Sequence, residues 1–516
     1  MATKPAKRAL SKKIVITNRA ALVTKYGTSG VKAIEAGVKA LAAADAKRGF
    51  ATTLIYLDGA TLRRAAVRDV ADPAEAKAAV DAVAKKHRPE YLVILGSHDV
   101  VPYQDLKNKL HDPGDPDSDP DRFAGSDLPY ACEAAYSQNT TKFLGPTRVV
   151  GRIPDLTGAT TPAYLLARLK ASAAAKPRPR PDSCFALSAK VWVNSTKMSV
   201  RNVMGAAPVV LTSPTAGPTF SKKQFGQKVH FVNCHGNESD HTFSGEFPDE
   251  VYATAMDARK LKGVGAGTVA AFECCFGAEL YDPHGLPAMS IANTYLAKGA
   301  AGLVASTNIA YGPADANGNA DIICQLFIEQ LLRGASLGRA MLEARLAYVR
   351  QQSVVDPYDE KTLAQFVLLG DPSLHPFVEA TAPKTVASPA AKASAHAARL
   401  QRRVRLMKAG ERLGRETAFT VPAKSPRAAA AVLRRKALAG VRRGFKHVRM
   451  FQVQEPAAAR ASMGKALKAM PKAQYVFVAT KQSRTPVRGT KAPPRIDGLL
   501  AYQVNGEIVT HIVVSR

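Results

Sequence analysis

Residues 91–96 read YLVILG, and the fold turns on them. A short, wholly apolar run closed by glycine suits a strand buried on both faces, the habit of parallel sheets covered by helices. Toward the N-terminus, residues 74–87 have the composition of a helix, and Asp72-Pro73 supplies a cap and first residue. Before it lie FATTLIYLD (50–58) as a strand, an Ala-rich helix over 30–49, and KIVITN (13–18) as a first strand. The order β-α-β-α-β predicts an α/β fold with right-handed crossovers. Toward the C-terminus the alternation continues through RVVGRI (148–153) and a helix over 163–175. Strands follow over 184–190, 228–234, 267–275 and 302–308, then helices over 320–334 and 336–352, and FVLLG (366–370) closes this body.

With 516 residues the chain has room for several domains. Hydrophobic content of 46% and charged content of 22% fit an ordinary globule. No apolar run of about 18 residues is present, so no membrane-spanning helix is expected. The first twenty residues are basic but lack an apolar signal core, so a cytoplasmic location is expected. Six cysteines are too few for a disulfide scaffold. KPRPRPDS (176–183) reads as a linker, which divides an N-terminal α/β subdomain (1–180) from a second subdomain (181–380). An Ala/Pro/Ser/Lys-rich linker (381–396) then leads to a C-terminal domain (397–516).

That last domain is set apart by charge. Residues 381–516 hold 28 Lys and Arg against 5 Asp and Glu, so most of the net charge of +30 sits there. Strands over 448–454 and 473–480, a helix over 457–470 and a hairpin over 498–514 around Asn505-Gly506 predict a small α+β fold. Its basic residues cluster as Arg402, Arg403, Arg405 and Lys408, then Arg434, Arg435 and Lys436, then Arg442, Arg443 and Lys446. Such density favours a polyanion, either nucleic acid or an acidic protein, through counterion release. Few aromatics lie nearby, so sequence-blind binding is expected. The competing explanation is a basic composition without a partner.

Residues 111–127, HDPGDPDSDPDRFAGSD, carry six aspartates and three prolines and read as an exposed loop. Asp115, Asp117, Asp119 and Asp121 alternate as calcium ligands do, although a solvated loop is the plainer reading of the composition.

Two strand ends carry chemistry. KVHFVNCHG (228–236) and GTVAAFECCFG (267–277) are apolar runs that stop at a reactive side chain followed closely by glycine. In open parallel sheets, ligands bind beyond the carboxyl ends of the strands. Neighbouring strands would bring His235 and Cys275 together there. A thiol with a free pKa of about 8.5 needs an imidazole to become a competent nucleophile near neutral pH. Backbone N–H groups of Gly236 and Cys275 are suited to an oxyanion hole. Strand alternation sends Cys275 to the opposite face from Cys274, and Cys275 is the residue at the turn. Cys274 then packs as a small hydrophobe, like Cys234. An isolated His or Cys on an apolar strand is ordinarily core; the paired signatures argue otherwise. Cys234, His235, His241, Cys274 and Cys275 could supply zinc ligands, but adjacent positions disfavour chelation. No cofactor is therefore required, with calcium the one metal to test.

Taken in order, these segments resemble the caspase–hemoglobinase-fold cysteine peptidases (clan CD), and most closely the gingipain-type branch. The resemblance runs over residues 13–376 through YLVILGSHDVVP (91–102), SDLPYA (126–131), VVGRIP (149–154), VNCHGN (232–237), FECCFG (272–277), GLVASTNIAYG (302–312) and LLGDPSL (368–374). It implies a caspase-like parallel sheet flanked by helices in two subdomains. It also implies a cysteine endopeptidase with Cys275 as nucleophile and His235 as base, acting on protein or peptide substrates. Two rivals stand beside it. One is a catalytically idle α/β module that binds through its basic domain; the other is a transpeptidase using the same dyad.

One departure bears on specificity. Gingipains hold a basic substrate side chain with an acidic residue ahead of the histidine strand, yet residues 183–237 contain no Asp or Glu. Lys197 and Arg201 lie four apart, as one helical face would place them, and are the expected pocket residues. No preference for Arg or Lys before the cleaved bond is expected.

Overall fold

The computed structural model describes residues 10–205, 209–246, 252–352, 355–378, 419–422, 445, 447–454, 473–482, 496–504 and 507–515. Ten strands form its main sheet: β1 (Ser11–Thr17), β2 (Phe50–Tyr56), β3 (Tyr91–Leu95), β4 (Val150–Ile153), β5 (Phe185–Ala189), β6 (Leu211–Ser213), β7 (Val229–Asn233), β8 (Val269–Phe272), β9 (Gly302–Ser306) and β10 (Phe366–Gly370). Their spatial order is β2-β1-β3-β4-β10-β9-β8-β7-β5-β6. All neighbours are parallel except β9 and β10. This is a mixed α/β fold with a large, mostly parallel sheet flanked by helices, and it fits a caspase-like architecture.

Strand alternation fills both faces of the second half. Ala186, Phe231, Ala271 and Val304 join one core with the helices Asn319–Leu332 and Leu337–Gln351. Leu187, Val232, Phe272 and Leu303 join another with the helix Ile291–Ala297. Period-two burial on two covered faces explains why these strands read as unbroken apolar runs.

The boundary expected near residue 180 does not divide the sheet. β10, late in the chain, inserts between β4 of the first half and β9 of the second. The linker itself forms a short strand, Arg178–Pro179, paired with Phe377–Val378. One buried ion pair, Lys13 with Asp371, reinforces the union. Lys13 Nζ, fully buried on β1, lies 2.6 Å from Asp371 in the turn after β10 and 2.8 Å from Asp45. Arg152 on β4 contacts both oxygens of Asp127 and the carbonyls of Gly96 and Val101. Three of the quoted segments thus meet at one guanidinium. Gly96 has φ +116°, and a Cβ there would lie 2.6 Å from Val100, so only glycine fits that turn.

The helix expected over 30–49 begins earlier, at Arg19, and a non-helical Gly27 breaks it. The glycine hid the leading segment, which buries Ala21, Leu22 and Tyr26.

The C-terminal strands depart most from expectation. Phe419–Pro422, Arg449–Gln454, Ala473–Gln482, Ile496–Val504 and Glu507–Ser515 form an antiparallel sheet, and its last two make the predicted hairpin around Asn505-Gly506. The sixth strand is Tyr311–Gly312 from the body, paired with Ser515 and Val514. Phe451, Val476, Val478, Ile496, Leu500 and Val513 belong to the same core as Tyr311 and Tyr358. The described part of residues 397–516 is therefore built onto the body and not a separate bead. The predicted helix 457–470, the linker 381–396 and all ten basic residues named above lie outside the described residues. Among the described residues no helix is long and apolar enough to cross a membrane.

Candidate active site

β7 and β8 are adjacent and parallel, with Val232 opposite Phe272. His235 and Cys275 each lie three residues past that pair, so register alone brings them to the same edge. Glu273 N–H donates to the Val232 carbonyl at 2.8 Å and carries the pairing one step further. A Cβ on Gly236 would lie 1.8 Å from the Cys275 carbonyl oxygen. The histidine and cysteine turns therefore touch through their backbones, and residue 236 can carry no side chain.

Cys234 and Cys274 face away from Cys275. They belong to the core beneath the helix Ile291–Ala297, and Cys234 N–H donates to Cys274 Sγ at 3.4 Å. Burial pushes both thiols up, which keeps them protonated and unreactive. Cys275 belongs to the opposite core. Its Sγ accepts from Ala310 N–H at 3.2 Å and lies 3.6 Å from the Ala310 carbonyl. The next residue, Phe276, has φ +53°, a left-handed conformation uncommon for a non-glycine and located at the sharp turn that ends the strand. Phe276 N–H to the Asn308 carbonyl (3.0 Å) and Gly277 N–H to the Cys274 carbonyl (3.3 Å) hold that turn.

The sequence reading missed Glu246. After Cys234 the chain forms a two-residue strand, His235–Gly236, antiparallel to Thr242–Glu246. Glu246 at the end of that second strand reaches back to the imidazole, with Oε2 2.6 Å from His235 Nε2. Glu246 is fully buried and His235 is 3% exposed. A carboxylate only accepts, so Nε2 is the donor and the neutral ring keeps Nδ1 unprotonated. Trp192 and Tyr252 flank the ring at centroid distances of 4.4 and 5.1 Å. The hairpin alternation of Thr242–Glu246 was the available signal, but its partner could not be read without the pairing. His241 is not part of this group; it lies near Asp240 and Asp257.

Lys197 and Arg201 follow closely on Trp192, which flanks the His235 ring. Their helix, Val193–Met204, buries Ser195, Thr196 and Ser199 and leaves both basic residues exposed. Val200 and Val203 complete the inner side, so the four-residue spacing places both basic residues on the exposed face.

The aspartate loop is partly buried, where an exposed loop was expected. Asp119 is fully buried, and Lys361 from the helix Pro357–Gln365 pairs with it and with Asp121, the latter at 2.7 Å. Asp115 accepts from Asp117 N–H at 3.0 Å within the loop. The four carboxylates are not gathered around one centre: among the described residues no three His, Cys, Asp or Glu side chains are placed to hold a metal. An ammonium already lies between Asp119 and Asp121, so calcium would have to displace it.

Glu279 links the two turns, accepting from Ser239 N–H at 2.7 Å. Burial, reinforced by Glu238 and Asp240, raises its carboxyl from 4.5 to about 7 against the Ser239 N–H, which favours the charged form. The folded state therefore holds a proton that the unfolded chain releases, and stability falls as pH rises between those two values. Glu279→Gln keeps the acceptor and removes this slope. Melting temperatures should favour the variant increasingly from about pH 5 to about pH 8. A difference that is constant with pH would contradict this.

Residues 213–377 match peptidase family C25. The matched stretch contains both strand ends, Glu246 and the turn after β10. It bears out the gingipain-type resemblance and indicates a cysteine peptidase, with protein substrates implied. No curated protein matches the chain.

Proposed function

We propose that the chain is a cysteine endopeptidase in which Cys275, His235 and Glu246 act together. The observation that carries this reading is the His235–Glu246 bond at the end of β7, in register with Cys275 at the end of β8. Cys275 Sγ attacks the substrate carbonyl carbon, and its proton passes to His235 Nδ1. Glu246 holds the ring in the required tautomer and stabilises the imidazolium. Gly236 N–H and Cys275 N–H receive the developing oxyanion. The imidazolium then protonates the departing amine, leaving a thioester on Cys275. Water, deprotonated by His235, hydrolyses it and frees the thiol.

The test is a panel of internally quenched peptides varied at the residue before the cleaved bond. Cleavage within the chain of the peptide supports an endopeptidase, and release of terminal residues alone would overturn it. The specificity reading rests on the lack of acidic residues over 183–237, with the exposed Lys197 and Arg201 on the helix after Trp192 as the proposed pocket residues.

The basic clusters of the C-terminal segment are proposed to bind a polyanion. Binding of DNA or RNA to the full chain should fall steeply with salt and ignore sequence. No binding at about 50 mM salt, where phosphate contacts are strong, would reject this.

A further inference from the structure

The segment Ile309–Ala310–Tyr311 meets the Cys275 thiol on one side and a buried charge cluster on the other. Ala310 N–H points at Cys275 Sγ, 3.2 Å away. Its two neighbours are held by the aspartate loop. Asp121 accepts from Ile309 N–H at 2.9 Å, and Asp119 accepts from the Tyr311 hydroxyl at 2.9 Å. Lys361, its side chain 1% exposed, lies between the two carboxylates and holds both turned toward the segment. Beyond Tyr311 the chain is fixed again, because Tyr311 and Gly312 pair with Ser515 and Val514. A backbone N–H aimed at sulfur favours the thiolate over the thiol, as hydrogen bonding to a charged form does generally.

We infer that Asp121, with Lys361 and Asp119 behind it, is a positioning residue for the nucleophile: it sets Ala310 N–H on Cys275 Sγ and so stabilises the thiolate. The aspartate loop then has a task that its composition did not announce. Two carboxylates from the first half of the chain and a lysine from the last helix of the body converge on the backbone beside the thiol. The titratable groups around this point are Asp119, Asp121, Lys361 and Tyr311 on the loop side, and His235, Glu273 and Cys274 on the strand side. Only the first four act through the segment.

This inference rests on Cys275 as the nucleophile, but its test reads thiol ionisation and not turnover. Alkylation of Cys275 by iodoacetamide is followed across pH by peptide mass spectrometry in the full chain. Asp121→Ala, which removes the acceptor, should move the midpoint of the rate profile up by about one pH unit, so that about tenfold less thiolate reacts at a given pH below the midpoint. Tyr311→Phe keeps the ring and removes only the hold of Asp119, and it should shift the midpoint less, in the same direction. Asp115→Asn, in the same loop but without contact to the segment, should leave the midpoint in place. An unchanged midpoint in folded Asp121→Ala, or in Tyr311→Phe if the first variant does not fold, would overturn the assignment. So would faster alkylation at low pH, which would mean that the segment shields the thiol instead of activating it. Either result leaves the nucleophile itself standing. Turnover by Cys275→Ala would unseat the nucleophile without moving these profiles.

Discussion

Cys275→Ala is expected to lower peptide cleavage by about 10⁴-fold or more while leaving the fold intact, and His235→Ala should do nearly the same. The two losses should not add, because the thiol and the imidazole perform one step together. Removing Cys275 Sγ gives up one buried sulfur contact with Ala310, a minor change for a core this large. Cys274→Ala is the informative control. That thiol lies on the far face of the sheet, against Cys234 and the Val232 carbonyl, so its loss should affect stability and leave most of the activity. Activity is read as kcat/KM on the cleaved peptide, and folding as the melting temperature. A dead Cys274→Ala beside an active Cys275→Ala would reverse the assignment of the two faces.

Glu246→Gln should lower kcat by about 10²-fold or more with KM changed by less than about threefold. The amide keeps the size of the carboxylate but can donate to Nε2, which moves the ring proton to Nδ1 and removes the base that Cys275 needs. Substrate contacts are untouched, so the effect belongs in kcat. A merely structural Glu246 would instead lower the melting temperature and leave the activity of the folded fraction unchanged. Wild-type kcat in Glu246→Gln would remove this residue from the mechanism.

What the sequence disclosed follows from how local each feature is. β3, β7, β8 and β10 are short apolar runs ended by glycine or a reactive residue, and each formed where it was read. The placing of His235 and Cys275 at one sheet edge was legible because strand register is a local count, three residues past Val232 and Phe272. Glu246 was not, because its value depends on a hairpin folding it back onto the imidazole. Asp119 and Asp121 looked like solvated carboxylates since Lys361, which neutralises them, lies 242 and 240 residues away. The C-terminal hairpin announced itself through Asn505-Gly506. Its union with Tyr311–Gly312 is a long-range pairing with no local signature. Lys197 and Arg201 were legible as one face of a helix, and that face is exposed.

The central claim is that Cys275 becomes covalently attached to the carbonyl carbon of its substrate. A cleavable panel peptide remade with an acyloxymethyl ketone in place of the scissile bond tests it directly, because the thiolate displaces the carboxylate and stays bound as a thioether. Tryptic mass spectrometry should find one adduct per chain, on Cys275, formed rapidly in the wild type. The adduct should be lost in Cys275→Ala and slowed in both His235→Ala and Glu246→Gln. An adduct on Cys274 or Cys184, or undiminished labelling without His235, would contradict the account.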